Sequence, residues 1–413
     1  MADKIPACSV IIPVFNKWDL TRNCLLSLCE HSLGHDVEII VVDNGSTDET
    51  AAALVPLGTC LFRPRFRVIR FSENRNFAPA CNAGAKEATS PLLFFLNNDT
   101  ILTPGWLPPL LEAMRGSNPP GAVGPLLLYT NDTVQHMGVA FNITTVTHLY
   151  SGFPADHPLV FHKRPFLNAL TGAALMMSRS LFLDYGGFFE GYKNGFEDID
   201  ICLRLRERGE KLACIPASRV YHLESRTEGR HDNTKDNSTL FNARCGKLLP
   251  LDLHRHAFAD GFRVVVNDLM ELSLALEEKE EARLSAFAAG QPEEAYNTLI
   301  KQNPLWIQGH EFLAQKLLRE GRYAEAMYHL SCLAVIEEKE ARYRALIRVA
   351  PQAVKSGYAN NIEKYAIILE KMHSFKKLDA KIILRQLRQR IDPKEIFLID
   401  LYRNALRERT KIA

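Results

Sequence analysis

The first hundred residues alternate between continuous apolar runs and segments with helical spacing. CSVIIPV (8–14), VEIIVVD (37–43), FRVIRF (66–71) and PLLFFL (91–96) are rich in β-branched and aromatic residues and read as buried strands. Between them, DLTRNCLLSLCEH (19–31) places Leu20, Cys24, Leu25 and Leu28 on one helical face, and FAPACNAGAKEA (77–88) reads as another helix. STDETAAAL (46–54) opens like a capped helix, with Ser46 followed by Glu49. Strands that are apolar on both faces and alternate with helices predict an α/β fold, a parallel sheet flanked by helices.

In such sheets ligands bind beyond the carboxyl ends of the strands. The residues at those ends are Pro13–Asn16, Asp43–Ser46, Asn74–Asn76 and Asn97–Asp99. The last set is the sharpest, because PLLFFLNNDT runs from an apolar strand straight into two amides and a carboxylate. Asn and Asp also make turns, since their side chains bond nearby backbone and tolerate left-handed φ. Four polar strand ends facing one crevice favour a site over four unrelated turns. Asp43, just before Asn-Gly, fits either an Asx turn or a carboxylate that accepts a nucleobase N–H. Asp99 is the stronger metal candidate: a carboxylate at the end of an apolar strand needs water, a donor or a cation. One or two carboxylates plus diphosphate oxygens can hold a divalent cation there.

Farther along, residues 121–178 mix short β-like runs with polar loops. FEDIDICLRLRERG (196–209) reads as a helix with a stripe of Ile199, Cys202, Leu203 and Arg206, ended by Gly209. Glu197 and Asp198 stand at its start with Asp200. Acidic residues suit the positive end of a helix without further purpose, and a general base among them, with Asp198 favoured, is the alternative. KLACIP and SRVYHLES then read as two short strands, the second carrying His222.

After about residue 250 the pattern changes to long amphipathic helices. The chain therefore divides into 1–250 and an all-α 251–413 region. AAGQPEEAYNTLI and LREGRYAEAMYHL share a G-x-x-x-E-A core, with Gly290 and Ala295 in register with Gly321 and Ala326. The spacing predicts tetratricopeptide-like helical pairs around 282–340. The end of the chain, with Lys376, Lys377, Lys381, Arg385, Arg388 and Arg390, is a basic helical segment.

Charge and cysteine content narrow the setting. The net charge of +2 over 413 residues gives no nucleic-acid footprint. Nine cysteines, an odd number with no C-x-x-C and mostly in apolar runs, read as buried thiols of a reducing compartment. The N-terminus enters a strand within ten residues without a secretory h-region, and no apolar run approaches the roughly 20 residues that span a bilayer. A cytoplasmic location is expected, with peripheral contact at the inner face of the membrane through the basic end as a further expectation.

SVIIPVFN, IIVVDNGSTD, ENRNFAPACNAG, LNNDT, TGAALMMSR, GGFFEGY, FEDIDICLRLRERG and VYHLES occur in this order over roughly residues 7–245. In that order they resemble family 2 glycosyltransferases of the GT-A fold, in particular the rhamnosyltransferase-like members. The resemblance implies a nucleotide-diphospho-sugar donor lying across the strand ends. Pro13, Phe15 and Asn16 would lie beside the nucleotide, Asp43 would bind the base, and Ser46 or Asp48 would support that loop. Asn76 and Asn82 would line the ribose and diphosphate side. Asn97, Asn98 and Asp99 match the metal signature, Asp99 and His222 being the protein ligands of Mn2+ or Mg2+. Asp198 matches the catalytic base, with Glu197 positioning it or the acceptor.

Three positions depart from the family pattern. Asn97 replaces the first Asp of the metal signature, Asn76 stands where Gly is frequent, and Phe15 stands where Tyr is common. Asn copies Gly most easily at positive φ. The resemblance implies an inverting transfer of a sugar to a hydroxyl of a glycan, lipid-linked or protein acceptor. A sugar nucleotidyltransferase or a dehydrogenase would need a glycine-rich loop after the first strand, where PVFNKWD has none. The remaining alternative is a non-catalytic nucleotide-sugar-binding or scaffold protein whose helical tail binds partners.

Overall fold

The computed structural model describes residues 7–143, 145–161, 166–223, 234–356, 362–374 and 377–412. Two compact units divide the chain: Met1–Val139 with His148–Leu249, and Ala140–Thr147 with Pro250–Ala413.

The first unit is built on strands β1 (Cys8–Val14), β2 (Val37–Asp43), β3 (Phe66–Arg70) and β4 (Leu92–Leu96). β1 lies parallel between β2 and β4, and β3 lies parallel to β2 on the far side. Every residue of β2 is buried, as its unbroken apolar run requires. The helix Phe77–Glu87 packs on β1 and β2 through small residues: Ala78, Ala80, Cys81, Gly84 and Ala85 are all buried. A Cβ at Gly84 would stand 2.5 Å from the Ile11 side chain, so only glycine allows this approach.

The sheet continues through β5 (Thr100–Leu102), β6 (Ala122–Leu128), β7 (Val134–His136), β10 (Ala174–Ser178) and β11 (Leu212–His222). Two short strands, β8 (Val139–Phe141) and β9 (Val146–His148), form a separate pair. The main order is β3-β2-β1-β4-β10-β6-β11-β5, with β7 on β6. The expected parallel sheet is thus the first half of a mixed one, because β10 runs antiparallel to both β4 and β6. Trp106, fully buried, packs on Phe94 of β4 at a ring separation of 4.9 Å.

Two further expectations for the first unit change. KLACIP and SRVYHLES are not separate strands: β11 runs through both, with an irregularity between Ile215 and Arg219 that lets one strand pair with β6 along its whole length. The helix after β2 begins at Thr50 and Ser46 does not cap it; Asp48 does, its Oδ1 accepting the Thr50 N–H at 3.0 Å. The helix Glu197–Glu207 forms as expected, although Ile201 and Leu205 are buried beside the predicted stripe.

The second unit opens with an antiparallel hairpin, β12 (Arg263–Val266) and β13 (Leu272–Ala275), and is otherwise helical. Gly290 and Gly321, the paired glycines of the repeat, both have left-handed φ, +76° and +74°, at turns between helices. Leu330, Leu333, Leu346, Ala350 and Leu369 belong to its core. Arg390, expected on the basic face, turns inward. Its guanidinium donates to the carbonyls of Asn142, Ile143 and Pro250, the last at 2.8 Å. Lys381, Arg385 and Arg388 remain exposed, and Lys376 lies outside the described residues. No helix among the described residues is long and apolar enough to cross a membrane. Cys8, Cys24, Cys81, Cys202, Cys214 and Cys245 are buried thiols, whereas Cys60 is exposed.

Candidate active site

The strand ends are tied to one another by side chains of Asn, Asp and Ser. Asn16, with a left-handed φ of +54°, donates its N–H to Ser46 Oγ at 2.8 Å and accepts the Thr47 N–H on Oδ1 at 2.8 Å. Asp48 Oδ2 accepts the Trp18 N–H at 3.2 Å. Burial works against the Asp48 charge, but the hydrogen bonds from Thr50, Trp18 and Lys17 hold its carboxyl below the usual carboxylate range. Pro13 and the 39 % exposed Phe15 sit at the same end of β1.

Asp43 is fully buried. Its Oδ1 accepts the Ser46 N–H at 2.9 Å, and Oδ2 faces Arg70 Nε at 2.9 Å, its register partner on β3. Arg70 in turn donates to the Ala51 carbonyl at 2.8 Å. The expected base-binding carboxylate is therefore already neutralised by an arginine.

Asn44, which sequence reasoning passed over, joins this loop to the next. Its Nδ2 donates to Asn74 Oδ1 at 2.9 Å and to the Asn76 carbonyl at 3.0 Å, while its Oδ1 accepts the Arg75 N–H at 2.8 Å. Asn76 has a φ of +70°, the conformation that Asn best shares with Gly. Asn82 is a correction. It is buried, and its amide donates to the Phe188 carbonyl and Glu190 Oε1 while accepting the Phe188 N–H at 3.0 Å. It clamps the 188–190 segment rather than lining a ribose.

The turn Asn97–Asp99 links β4 to β5, so the motif is both turn and site. Asn98 donates to Thr21 Oγ1 at 2.8 Å, which directs its amide toward the Trp18–His31 helix. Asp99 Oδ1 lies 3.2 Å from His222 Nε2, and Asn97 Nδ2 lies 3.5 Å from the same nitrogen. The pairing follows from β11 lying antiparallel to β5, with His222 opposite Thr100.

Gln135, a second residue without a motif, fixes the imidazole. Its Nε2 donates to the His222 carbonyl at 2.9 Å, which leaves its Oε1 2.7 Å from His222 Nδ1. Nδ1 must then carry a hydrogen, and a neutral ring presents the lone pair of Nε2 toward the Asp99 carboxylate. Two acceptors at 3.2 Å call for a proton or a cation between them. The donor set, one imidazole nitrogen and one carboxylate oxygen, suits a divalent ion completed by diphosphate and water. No group of three or more His, Cys, Asp or Glu side chains that could hold a metal occurs among the described residues.

Asp198 reaches the same neighbourhood through the strip Thr171–Ala173. The Gly172 N–H donates to Asp198 Oδ2 at 2.8 Å, and the Asn97 N–H donates to the Ala173 carbonyl at 2.9 Å. The Thr171 N–H donates to His136 Nε2 at 3.3 Å. Burial, with His148 and His222 nearby, holds the His136 imidazole well below its ordinary pKa, so it is neutral. Its remaining hydrogen on Nδ1 points to His148 Nδ1 at 2.7 Å. The other Asp198 oxygen accepts the Ile199 N–H at 2.8 Å. Glu197 is buried and accepts the Gly195 N–H at 2.7 Å, so it shapes the turn before the helix. Asp200 is enclosed by Arg204 Nε at 2.6 Å, Arg244 Nε at 2.8 Å and the Tyr192 hydroxyl at 2.9 Å. Burial opposes its charge, but these donors hold its carboxyl below the usual range.

The structure thus brings Asp99, His222 and, through one strip of backbone, Asp198 together, while Asp43 stands on β2 with its own counter-ion.

The chain is similar to known proteins. Residues 9–182 match the model of glycosyl transferase family 2. The O-antigen biosynthesis protein RfbC of Myxococcus xanthus is 30% identical over 230 residues, covering 53% of this chain and 17% of that protein. The N-acetylglucosaminyl-diphospho-decaprenol L-rhamnosyltransferase of Mycobacterium tuberculosis (strain CDC 1551 / Oshkosh) is 27% identical over 216 residues, covering 47% of this chain and 69% of that protein. The chain spans 26% and 17% of the first two curated relatives it matches. Among solved structures, GalNAc-T7 with UDP, GalNAc and Mn2+ aligns with a TM-score of 0.46 and 18% identity, over 55% of this chain and 45% of that one. The match to the glycosyl transferase family 2 model thus runs from the first strand to the helix after β10.

Proposed function

We propose that the first unit transfers a sugar from a nucleotide-diphospho-sugar to an acceptor hydroxyl with inversion, Asp198 acting as general base. The observation that carries this reading is the meeting of Asp99 with His222 at 3.2 Å beside the strip that also binds Asp198. An acceptor hydroxyl is a weak nucleophile at neutral pH and needs a carboxylate within hydrogen-bond reach. Each Asp198 oxygen accepts one backbone N–H, which leaves a lone pair on each for the hydroxyl proton. As the proton moves to Asp198, the bond from the acceptor oxygen to the anomeric carbon forms on the face opposite the departing diphosphate. Glu197, through the Gly195 N–H, holds the turn that sets the carboxylate's position.

Asp99 and His222 would hold Mn2+ or Mg2+, whose charge counters that of the departing diphosphate. The imidazole favours Mn2+, since Mg2+ prefers oxygen ligands. Phe15, Asn16 and the Asp43–Ser46 and Asn74–Asn76 loops frame the nucleotide. Asp43, fully buried, supports that frame through the Ser46 N–H and Arg70. The names of the relatives in O-antigen and lipid-diphosphate sugar assembly support a glycan or lipid-linked acceptor.

A panel of nucleotide sugars assayed for release of nucleoside diphosphate, with and without Mn2+, tests the reading. One donor turned over, and faster with Mn2+, is expected. Absence of turnover with every donor, under conditions where the protein is folded, sinks it.

A further inference from the structure

Beside the groups assigned above, one stretch of backbone is held against its own preference. Asn194, Gly195 and Phe196 all have left-handed φ, +57°, +128° and +76°. A phenylalanine in that region is strained, because its Cβ crowds the neighbouring carbonyl. Such a conformation persists only where the surroundings over-determine it, and here they do. The Lys193 N–H donates to Asn237 Oδ1 at 3.0 Å, and Asn237 Nδ2 returns a bond to the Lys193 carbonyl at 3.1 Å. The Phe196 ring stacks on Phe241 with centroids 4.8 Å apart. Arg244 and Cys245 bind Asp200. Residues 237, 241, 244 and 245 lie along one face of the helix Thr234–Cys245, which braces the first turn of the helix bearing Asp198.

That brace fixes the turn from one side. From the other side a single side chain reaches across 117 positions of sequence: Asn194 Oδ1 accepts the Phe77 N–H at 2.9 Å. Phe77 begins the helix that follows Asn74–Asn76, and Asn44 already grips the Asn76 carbonyl. The Phe77 ring borders the Asp198 contact as well. A Cβ placed on Gly172 would stand 3.6 Å from that ring and 3.2 Å from Asp198 Cβ.

We propose that Asn194 is a positioning residue for Asp198, registering the start of the base-bearing helix against the 74–77 loop that frames the donor. Its amide oxygen transmits the placement of the donor loop to the carboxylate without touching substrate. Asn suits the post twice, since it tolerates the left-handed backbone and supplies the acceptor. The kinetic part of this inference rests on the transferase reading above, and the structural tie does not.

Asn194→Gly keeps the backbone conformation and deletes the acceptor oxygen; Asn194→Asp keeps both. In the protein without ligand, Asn194→Gly should speed hydrogen exchange at the Phe77 amide and at the 195–199 amides, and Asn194→Asp should not. In sugar transfer, Asn194→Gly should lower kcat by up to about 10²-fold, the cost of a misplaced reacting group, while donor KM stays within about threefold. Asn194→Asp should recover most of the rate, and thermal midpoints of both variants should stay close to that of the parent. Unchanged exchange at Phe77 in Asn194→Gly overturns the tie. A kcat that is unchanged, or is lost equally in both variants, overturns the positioning role. If the parent turns over no nucleotide sugar, the transferase reading fails, and the exchange comparison still decides whether Asn194 holds the two loops together.

Discussion

The loops at 16, 43–48 and 70–76 and the cluster at 97–99, 171–173, 198 and 222 are both built from amides and carboxylates at strand ends, yet they close their charges differently. In the first, Asp43 meets Arg70 across two neighbouring strands, and the Asn44 amide answers another amide and two backbone groups. In the second, an imidazole nitrogen stands 3.2 Å from a carboxylate oxygen, and Asp198 rests on two N–H groups. A carboxylate held by an arginine shapes a frame, and one set beside an imidazole or on backbone N–H groups suits a site that a ligand completes. The helix Glu197–Glu207 repeats the contrast over two residues. Asp200 is wrapped by two arginines, whereas no ion pair involves Asp198 among the described residues.

Substitutions that exchange these roles would break the comparison. The largest effect is expected from Asp198→Asn, which should lower transfer about 10²–10⁴-fold while donor binding and the thermal midpoint hold. Normal turnover by that variant assigns the base elsewhere. Asp200→Asn should act mainly on stability, costing about 3–5 kcal/mol in denaturant unfolding, because Arg204 and Arg244 lose their common partner.

The pH dependence of Asp200→Asn sharpens the point. Asp200 is held below its unfolded value, about 3.9, so the stability it lends is present above that pH. It is lost as the pH falls through the lowered folded value. The variant should therefore be less stable at neutral pH but flatter through the acid limb, and an equally steep limb contradicts the pairing.

Gln135→Ala tests whether an outer partner sets the imidazole. Affinity for Mn2+, read by titration with activity or calorimetry, should fall about 10–100-fold. An unchanged titration removes Gln135 from the site. The smallest effect belongs to the helical unit. Glu293 binds Lys316 at 2.5 Å and Arg322 at 2.9 Å, and those hydrogen bonds draw its carboxyl down to about 2. Arg322 is 37 % exposed, so solvent screens the network, and Glu293→Gln should cost about 1 kcal/mol or less. A loss of several kcal/mol would mean that this network behaves like the buried one at Asp200.

Much of the fold was legible because unbroken apolar runs leave a strand few alternatives. Thus β1 to β4 and the helix after Phe196 stand where their patterns put them. The second half of the sheet was less so, since the polar Ser218–Arg219 region of β11 looks like a loop until β6 and β5 flank it. At the candidate site, short motifs singled out Asp99, Asp198 and His222, which the fold brings near one another. Ser46 was misread because a Ser followed by Glu looks the same whether its hydroxyl caps a helix or receives the Asn16 N–H. Asn82, Asn98, Gln135 and Asn194 depend on partners far away in sequence, and no local pattern distinguishes an amide that binds a ligand from one that ties two segments.

The cysteines set a useful chemical handle. Burial pushes Cys8, Cys24, Cys202 and Cys214 up to about 12, so these sulfurs stay protonated and unreactive while the sheet is closed. Cys60 lies exposed on the helix beside β3. A maleimide should mark Cys60 at once and the four inner thiols only as β1, β11 and the helices against them open. The order of alkylation would then time the unravelling of the first unit from its rim inward.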